Sequence, residues 1–162
     1  PEWLLVHMVA HDDNRVAPAL VDFWFKCQQY GSNYFVKDLL RDSKDSGLNQ
    51  RLIELLPMAS EKRTQHDLTD LIVTRMKGEA SPYIRQIIKG ELKGDQVTAA
   101  FALGRLGDEA DIAWFKAFCD FKNDEIDQKS SHYCGALATL RKKHNHDING
   151  PIVKSEKMTP LD

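Results

Sequence analysis

Apolar residues recur at intervals of three and four along nearly the whole chain, whereas the alternation typical of strands is almost absent. Spacing of this kind places apolar side chains on one face of an α-helix. We therefore expect an all-α protein. The predicted helices lie near residues 2–11, 14–30, 33–43, 48–57, 60–76, 81–92, 95–106, 109–121 and 126–143.

The breaks between these helices are regularly spaced. With Asp12, Asp45, Gly78 and Asp108 as markers, the steps are 33, 33 and 30 residues, and a further 36 residues reach His144. Steps of this size are typical of two-helix repeats, which cannot bury their apolar faces alone and so stack on their neighbours. The spacing predicts a stack of helical hairpins.

Two segments carry a family signature. The chain reads DDNRVAPALVDF from Asp12 to Phe23 and AAFALGRLGD from Ala99 to Asp108. The first resembles the acidic turn and the start of the second helix of a HEAT repeat. The second resembles the matching first helix and its turn, as in the short HEAT-like repeats of phycobilin lyases. Over residues 3–143, the resemblance implies an α-solenoid of about four to five antiparallel helical hairpins (HEAT/armadillo-like), wound into a right-handed superhelix.

Small residues in the second of these segments predict close packing between helices. Ala99, Ala102 and Gly104 leave room for a neighbouring helix to approach. Gly107 suits the left-handed conformation that often ends a helix, and Asp108 can cap the helix that follows.

The two ends of the chain differ in character. The predicted helix at residues 2–11 is apolar nearly all round, which predicts that upstream repeats, a second copy or a partner cover it. The chain begins at Pro1 rather than Met, so we expect it to be processed or cut from a longer protein. We expect a HEAT-like helical domain over residues 1–147 and a C-terminal tail over residues 148–162.

Composition narrows the choice of function. The net charge of −2 disfavours a general nucleic-acid binder, and no apolar segment is long enough to span a bilayer. Three widely spaced cysteines, Cys27, Cys119 and Cys134, fit neither a disulfide framework nor a zinc ribbon. We expect a cytoplasmic protein that carries no cofactor.

Three histidines are each followed directly by an aspartate, and His7 lies one helical turn before His11. The pairing resembles the metal-dependent HD phosphohydrolases, which implies a metal held by His7, His11 and Asp12. The other pairs begin at His66 and His146. Capping or solvated roles explain all three pairs as well, so a metal-dependent HD-like hydrolase is kept as an alternative.

Two further functions remain open. The HEAT resemblance implies a lyase as one alternative. A nucleic-acid-binding solenoid is another, because basic residues occur on the predicted second helices. Acidic residues are interleaved with them, which is usual for a solvated helix face. The basic residues are Arg15, Lys26, Arg51, Arg85 and Lys89.

The helix at residues 14–30 suggests a contact surface. At about 100° per residue, Phe25 falls roughly opposite its apolar stripe, either as an exposed anchor for a partner or because the helix is clamped between two neighbours. We favour a protein-interaction module, that is, a HEAT-like scaffold or adaptor. An inhibitor or immunity-type binder is a narrower version of this hypothesis, and we do not expect an enzyme. The predicted partner-binding residues are Val21, Asp22, Phe25, Lys26, Arg51, Glu54, Arg85 and Lys89.

Overall fold

The computed structural model describes residues 7, 16–27, 34–122 and 129–144. The regular structure within these residues is helical and contains no strand, as predicted. The α-helices are α1 (Ala17–Cys27), α2 (Tyr34–Asp42), α3 (Gly47–Leu55), α4 (Lys62–Met76), α5 (Ser81–Lys89), α6 (Gln96–Leu106), α7 (Glu109–Lys122) and α8 (Lys129–Lys143). Short 3-10 turns follow α3 at Leu56–Met58 and α4 at Lys77–Ala80.

The positions predicted for α1 to α8 are confirmed to within a few residues. The predicted helix at residues 2–11 lies outside the described residues except for His7, which is helical. The predicted tail at residues 148–162 also lies outside them.

Local side-chain chemistry sets the helix boundaries. Gly90 ends α5 in the left-handed conformation, with φ of 82°. Asp95 precedes α6, and its Oδ1 accepts a hydrogen bond from Val97 N at 3.0 Å. Before α7, Asp108 N donates to Asp111 Oδ2 at 2.9 Å while Asp111 N donates to Asp108 Oδ1 at 3.1 Å. This reciprocal pair confirms the predicted cap at Asp108.

Gly107 ends α6 for a different reason from the one predicted. Its φ is not positive, so the left-handed conformation expected there is wrong. A Cβ at this position would lie 2.5 Å from Leu103 O and 2.9 Å from Asp111 Oδ2. Glycine is needed at position 107 because there is no space for a side chain.

The chain divides into two compact units, residues 1–99 and residues 100–162, with the boundary inside α6. The division expected from the sequence, a domain over residues 1–147 and a tail over residues 148–162, stays a prediction.

In the first unit, α1 to α4 pack against one another, both between successive helices and between a helix and the next but one. Contacts join α1 to α2 and to α3, α2 to α4, and α3 to α4. Each fully buried Leu or Ile contributes about 1.5–3 kcal/mol relative to an exposed position. The largest of these side chains are Leu20, Leu40, Leu48, Leu52, Leu55, Leu56, Leu68, Leu71, Ile72, Ile84 and Ile87.

Arg75 on α4 holds the turn between α2 and α3. Its guanidinium donates to Ser43 O at 2.7 Å, Asp45 O at 2.9 Å and Asn49 Oδ1 at 2.8 Å, and also to Leu40 O. Burial lowers the pKa of Arg75, but a guanidinium stays protonated at neutral pH. One cation thus satisfies carbonyl groups in the last turn of α2 and in the loop that follows it.

Lys37 on α2 is tied to α4 by two carboxylates. Its Nζ lies 2.8 Å from Asp67 Oδ1 and 3.0 Å from Asp70 Oδ2. Burial alone would lower the pKa of Lys37, but the hydrogen bonds to Asp67 and Asp70 outweigh it and raise the pKa above its usual value. Lys37 is therefore a charged tie between α2 and α4.

The second unit is joined by close packing and aromatic contacts. A Cβ on Gly104 of α6 would lie 2.6 Å from Ala136 O of α8, so the predicted close approach at Gly104 is confirmed. Phe115 on α7 is fully buried, and its ring centroid lies 6.4 Å from that of Tyr133 on α8. Phe118 meets the same tyrosine edge-on at 5.4 Å. Such pairs add about 0.5–1.5 kcal/mol beyond the buried area.

Candidate functional site

Three of the predicted partner-binding residues come together on α1 and α3. Arg51 Nε donates to Asp22 Oδ1 at 2.7 Å, and Arg51 NH1 donates to Glu54 Oε2 at 3.0 Å. Gln50 Nε2 donates to the second oxygen of Glu54 at 3.2 Å. We call Asp22, Arg51 and Glu54 the α1–α3 cluster. It assembles side chains that are 29 residues apart in the sequence.

Hydrogen bonds within the α1–α3 cluster favour the charged forms of Arg51 and Glu54. Hydrogen bonds to Asp22 and then Glu54 raise the pKa of Arg51 above its usual value. Hydrogen bonds from Arg51 and then Gln50 lower the pKa of Glu54. The cluster is exposed, so it adds little to the free energy of unfolding. Its hydrogen bonds instead hold charges of both signs in a defined arrangement on the surface.

The other predicted binding residues differ in how far they are exposed. Val21 has none of its surface exposed, so its side chain cannot contribute to a contact surface. Phe25 is partly buried and Lys26 is exposed on the same helix. On α5, Arg85 is partly buried, while Lys89 is exposed with its Nζ 3.4 Å from Glu91 Oε1.

Met58 is an exposed apolar side chain that the sequence analysis missed. It is 62% exposed and lies in the 3-10 turn that follows α3. Met58 comes seven residues after Arg51, in the turn that directly follows the helix of Arg51. The signal available in the sequence was Pro57, which favours a tight turn at the end of a helix.

The histidine–aspartate pairs do not form a metal site in the described residues. His66 and Asp67 point to different partners, because His66 contacts Asp95 and Asp67 contacts Lys37. No three His, Cys, Asp or Glu side chains in the part of the chain that the structure describes are grouped to hold a metal ion. Of the candidate ligands His7, His11 and Asp12, and of the pair at His146, only His7 lies within that part.

His66 instead joins α4 to the start of α6. Its Nδ1 lies 2.9 Å from Asp95 Oδ2 and 2.8 Å from Thr98 Oγ1, and the Thr98 hydroxyl donates to the same carboxylate oxygen at 2.8 Å. In a nucleophilic triad the carboxylate and the hydroxyl contact opposite ring nitrogens. Here both contact Nδ1, so the group acts as an extended helix cap rather than a triad.

None of the helices in the described residues has the length and apolar character needed to cross a bilayer. No protein-family model matches the chain, and neither does any curated protein or solved structure.

Proposed function

We propose that the chain is a protein-interaction module built from stacked HEAT-like helical hairpins, and that it holds another protein against the face formed by α1, α3 and the turn after α3. This face contains the α1–α3 cluster and Met58.

The pairing of helices supports a repeat architecture. In a two-layer stack of hairpins, each helix contacts the next helix and the next but one. In the first unit, α1 contacts α2 and α3, α2 contacts α4, and α3 contacts α4. Its cross-helix hydrogen bonds join residues 26 to 36 positions apart, from Arg75–Asn49 to Lys93–Pro57. These separations match the sequence steps of 33, 33 and 30 residues.

The observation that carries the binding proposal is the exposure of Met58, which is 62% exposed in the turn that directly follows the helix of Arg51 and Glu54. Protein interfaces commonly centre on an apolar or aromatic anchor surrounded by polar contacts. Met58 supplies an adaptable anchor, since methionine fits irregular surfaces. The cluster supplies both signs of charge in a fixed arrangement, which selects a partner by complementarity.

The test is capture of a partner with matched variants. The full chain is immobilised and exposed to an extract of its natural source, and bound proteins are quantified by mass spectrometry. Glu54→Lys and Met58→Asp alter the proposed face. Asp38→Lys is the matched control, because Asp38 pairs with Arg41 at 3.0 Å with i,i+3 spacing on α2, as Glu54 does with Arg51 on α3.

We expect at least one protein to be retained by the unaltered chain and by Asp38→Lys. Its retention should fall by about tenfold or more with Met58→Asp, because buried interface anchors often contribute above 1 kcal/mol. Equal capture by all variants would contradict the proposed face. Absence of any captured protein would contradict the proposed function.

A further inference from the structure

In the second unit, α6 and α8 approach each other closely, and we call the exposed surface along their contact the α6–α8 groove. The two helices run in the same direction, because Phe101 contacts His132 and, three residues later, Gly104 meets Ala136. The absence of a side chain at Gly104 brings the backbones close together. We call the line of contact through Gly104 and Ala136 the α6–α8 seam.

On one side of the seam, two aromatic side chains lie close to the line of contact and two basic side chains lie farther from it. Phe101 is 43% exposed, and its ring centroid lies 5.8 Å from that of the exposed His132. At about 100° per residue, Arg105 lies on the same side of α6 as Phe101, farther from the seam. On α8, Thr139 lies beside the seam and Lys142 at the outer edge, and both are exposed.

Charge is distributed unevenly around this groove. Neither α6 nor α8 contains an aspartate or a glutamate, although the whole chain has a net charge of −2. Among the described residues, Arg105 and Lys142 have no ion-pair partner. The helix between them, α7, has the acidic residues Glu109 and Asp111 in its first turn and Asp120 near its end. The groove is thus locally basic on an acidic chain.

We propose that the α6–α8 groove binds an acidic segment of a partner protein. An apolar side chain of the segment packs on Phe101 and His132, and carboxylates on either side meet Arg105 and Lys142. Charge complementarity favours an acidic occupant over a basic one. A nucleic acid is disfavoured, because nucleic-acid binders usually carry a basic excess, whereas this chain has a net charge of −2.

This groove is separate from the face proposed on α1 and α3, and its occupancy does not depend on that face. The two proposals can therefore fail independently. Glu54→Lys changes the first surface and leaves α6 and α8 untouched, whereas substitutions at Phe101 and Lys142 do the reverse.

The test is fluorescence anisotropy of the full chain with three labelled probes. These are a peptide in which Glu and Leu alternate, a peptide in which Lys and Leu alternate, and an oligodeoxythymidine. The chain variants are Phe101→Ala, Lys142→Glu and Arg105→Glu. Lys44→Glu is the matched control, because Lys44 is an exposed lysine in the loop before α3 and the change in net charge is the same. Circular dichroism checks that each variant is folded.

We expect the Glu-Leu peptide to bind best, with affinity that weakens as salt rises. Lys142→Glu and Arg105→Glu should each weaken binding by about three- to tenfold, and Phe101→Ala by about tenfold, with Lys44→Glu and Glu54→Lys unchanged. Equal or tighter binding of the Lys-Leu peptide or of the oligodeoxythymidine would overturn the proposal. So would unchanged affinity in a folded Phe101→Ala variant.

Discussion

The two compact units connect successive helices in different ways. In the first unit, charged side chains reach from one helix to another, as in the contacts of Lys37 with α4 and of Arg75 with the turn after α2. In the second unit, the main connections are the close backbone approach at Gly104 and the aromatic contacts around Phe115. The stability that polar contacts provide changes with charge and pH, whereas the stability that close packing provides changes with side-chain volume. The contrast predicts which kind of substitution each unit tolerates.

The largest effect should come from adding one methyl group to the second unit. Gly104→Ala places a Cβ 2.6 Å from Ala136 O, closer than two such atoms can approach. We expect the free energy of unfolding to fall by about 2–3 kcal/mol, because displacing a helix backbone outweighs the roughly 1 kcal/mol that alanine gains in helix propensity. Chemical denaturation measures the change.

The matched control is Gly135→Ala on α8. No atom lies within 4 Å of a Cβ built at Gly135, which is exposed in the same unit. Alanine should therefore stabilise the chain by about 0.5–1 kcal/mol through helix propensity alone. If the two substitutions shift stability in the same direction, close packing at Gly104 does not hold α6 to α8.

A somewhat smaller loss is expected from removing a cation in the first unit. Lys37→Met leaves Asp67, which is nearly buried, without its charged partner. We expect a loss of about 2 kcal/mol at neutral pH, since an unpaired carboxylate loses water without compensation. The double substitution Lys37→Met with Asp67→Leu should recover most of the loss. Equal instability of the double variant would argue against a paired charge.

The sign of the pH dependence follows from the raised pKa of Lys37. A base whose pKa is higher in the folded state stabilises the fold at pH values below its unfolded pKa, near 10.4, and loses that contribution as the pH rises through the folded value. The difference between the unaltered chain and Lys37→Met should stay constant from neutral pH to about pH 10 and shrink above it.

The smallest effect concerns the cap of α6. Burial raises the pKa of Asp95, but hydrogen bonds from His66, Thr98 and the backbone N–H of Thr98 and Val97 outweigh it, and the pKa is lowered. Such an acid contributes stability above its unfolded pKa, near 3.9, and loses it as the pH falls through the folded value. Asp95→Asn should cost about 1 kcal/mol at pH 7, and the difference should vanish near pH 2. A difference that persists there would exclude the carboxylate charge as its source.

The helices could be predicted well from the sequence because their ends are determined by residues close by in the chain. Gly90 and the aspartates at positions 95 and 108 cap helices through contacts within a few residues. The periodicity also placed Asp22, Arg51 and Glu54 on the predicted second helices of their hairpins. Which of them meet could not be predicted, because that depends on how helices about 30 residues apart in the chain pack together.

The exposure of Val21 and Met58 also depends on how the helices pack, which could not be predicted from the sequence. Val21 was expected at a surface, but α1 packs against both α2 and α3, so its buried arc is wider than one apolar stripe implies. Met58 was missed because its exposure depends on the 3-10 turn after α3, which moves it away from the core that buries Leu55 and Leu56.

The central proposal, that α1, α3 and the following turn hold a protein partner, is tested most directly by hydrogen–deuterium exchange on a purified complex. The amides of α3 and the turn Leu56–Met58 are compared with those of α2, with and without the captured protein. We predict slower exchange in α3 and its turn and unchanged exchange in α2. Slowing confined to other helices, or none at all, would contradict it.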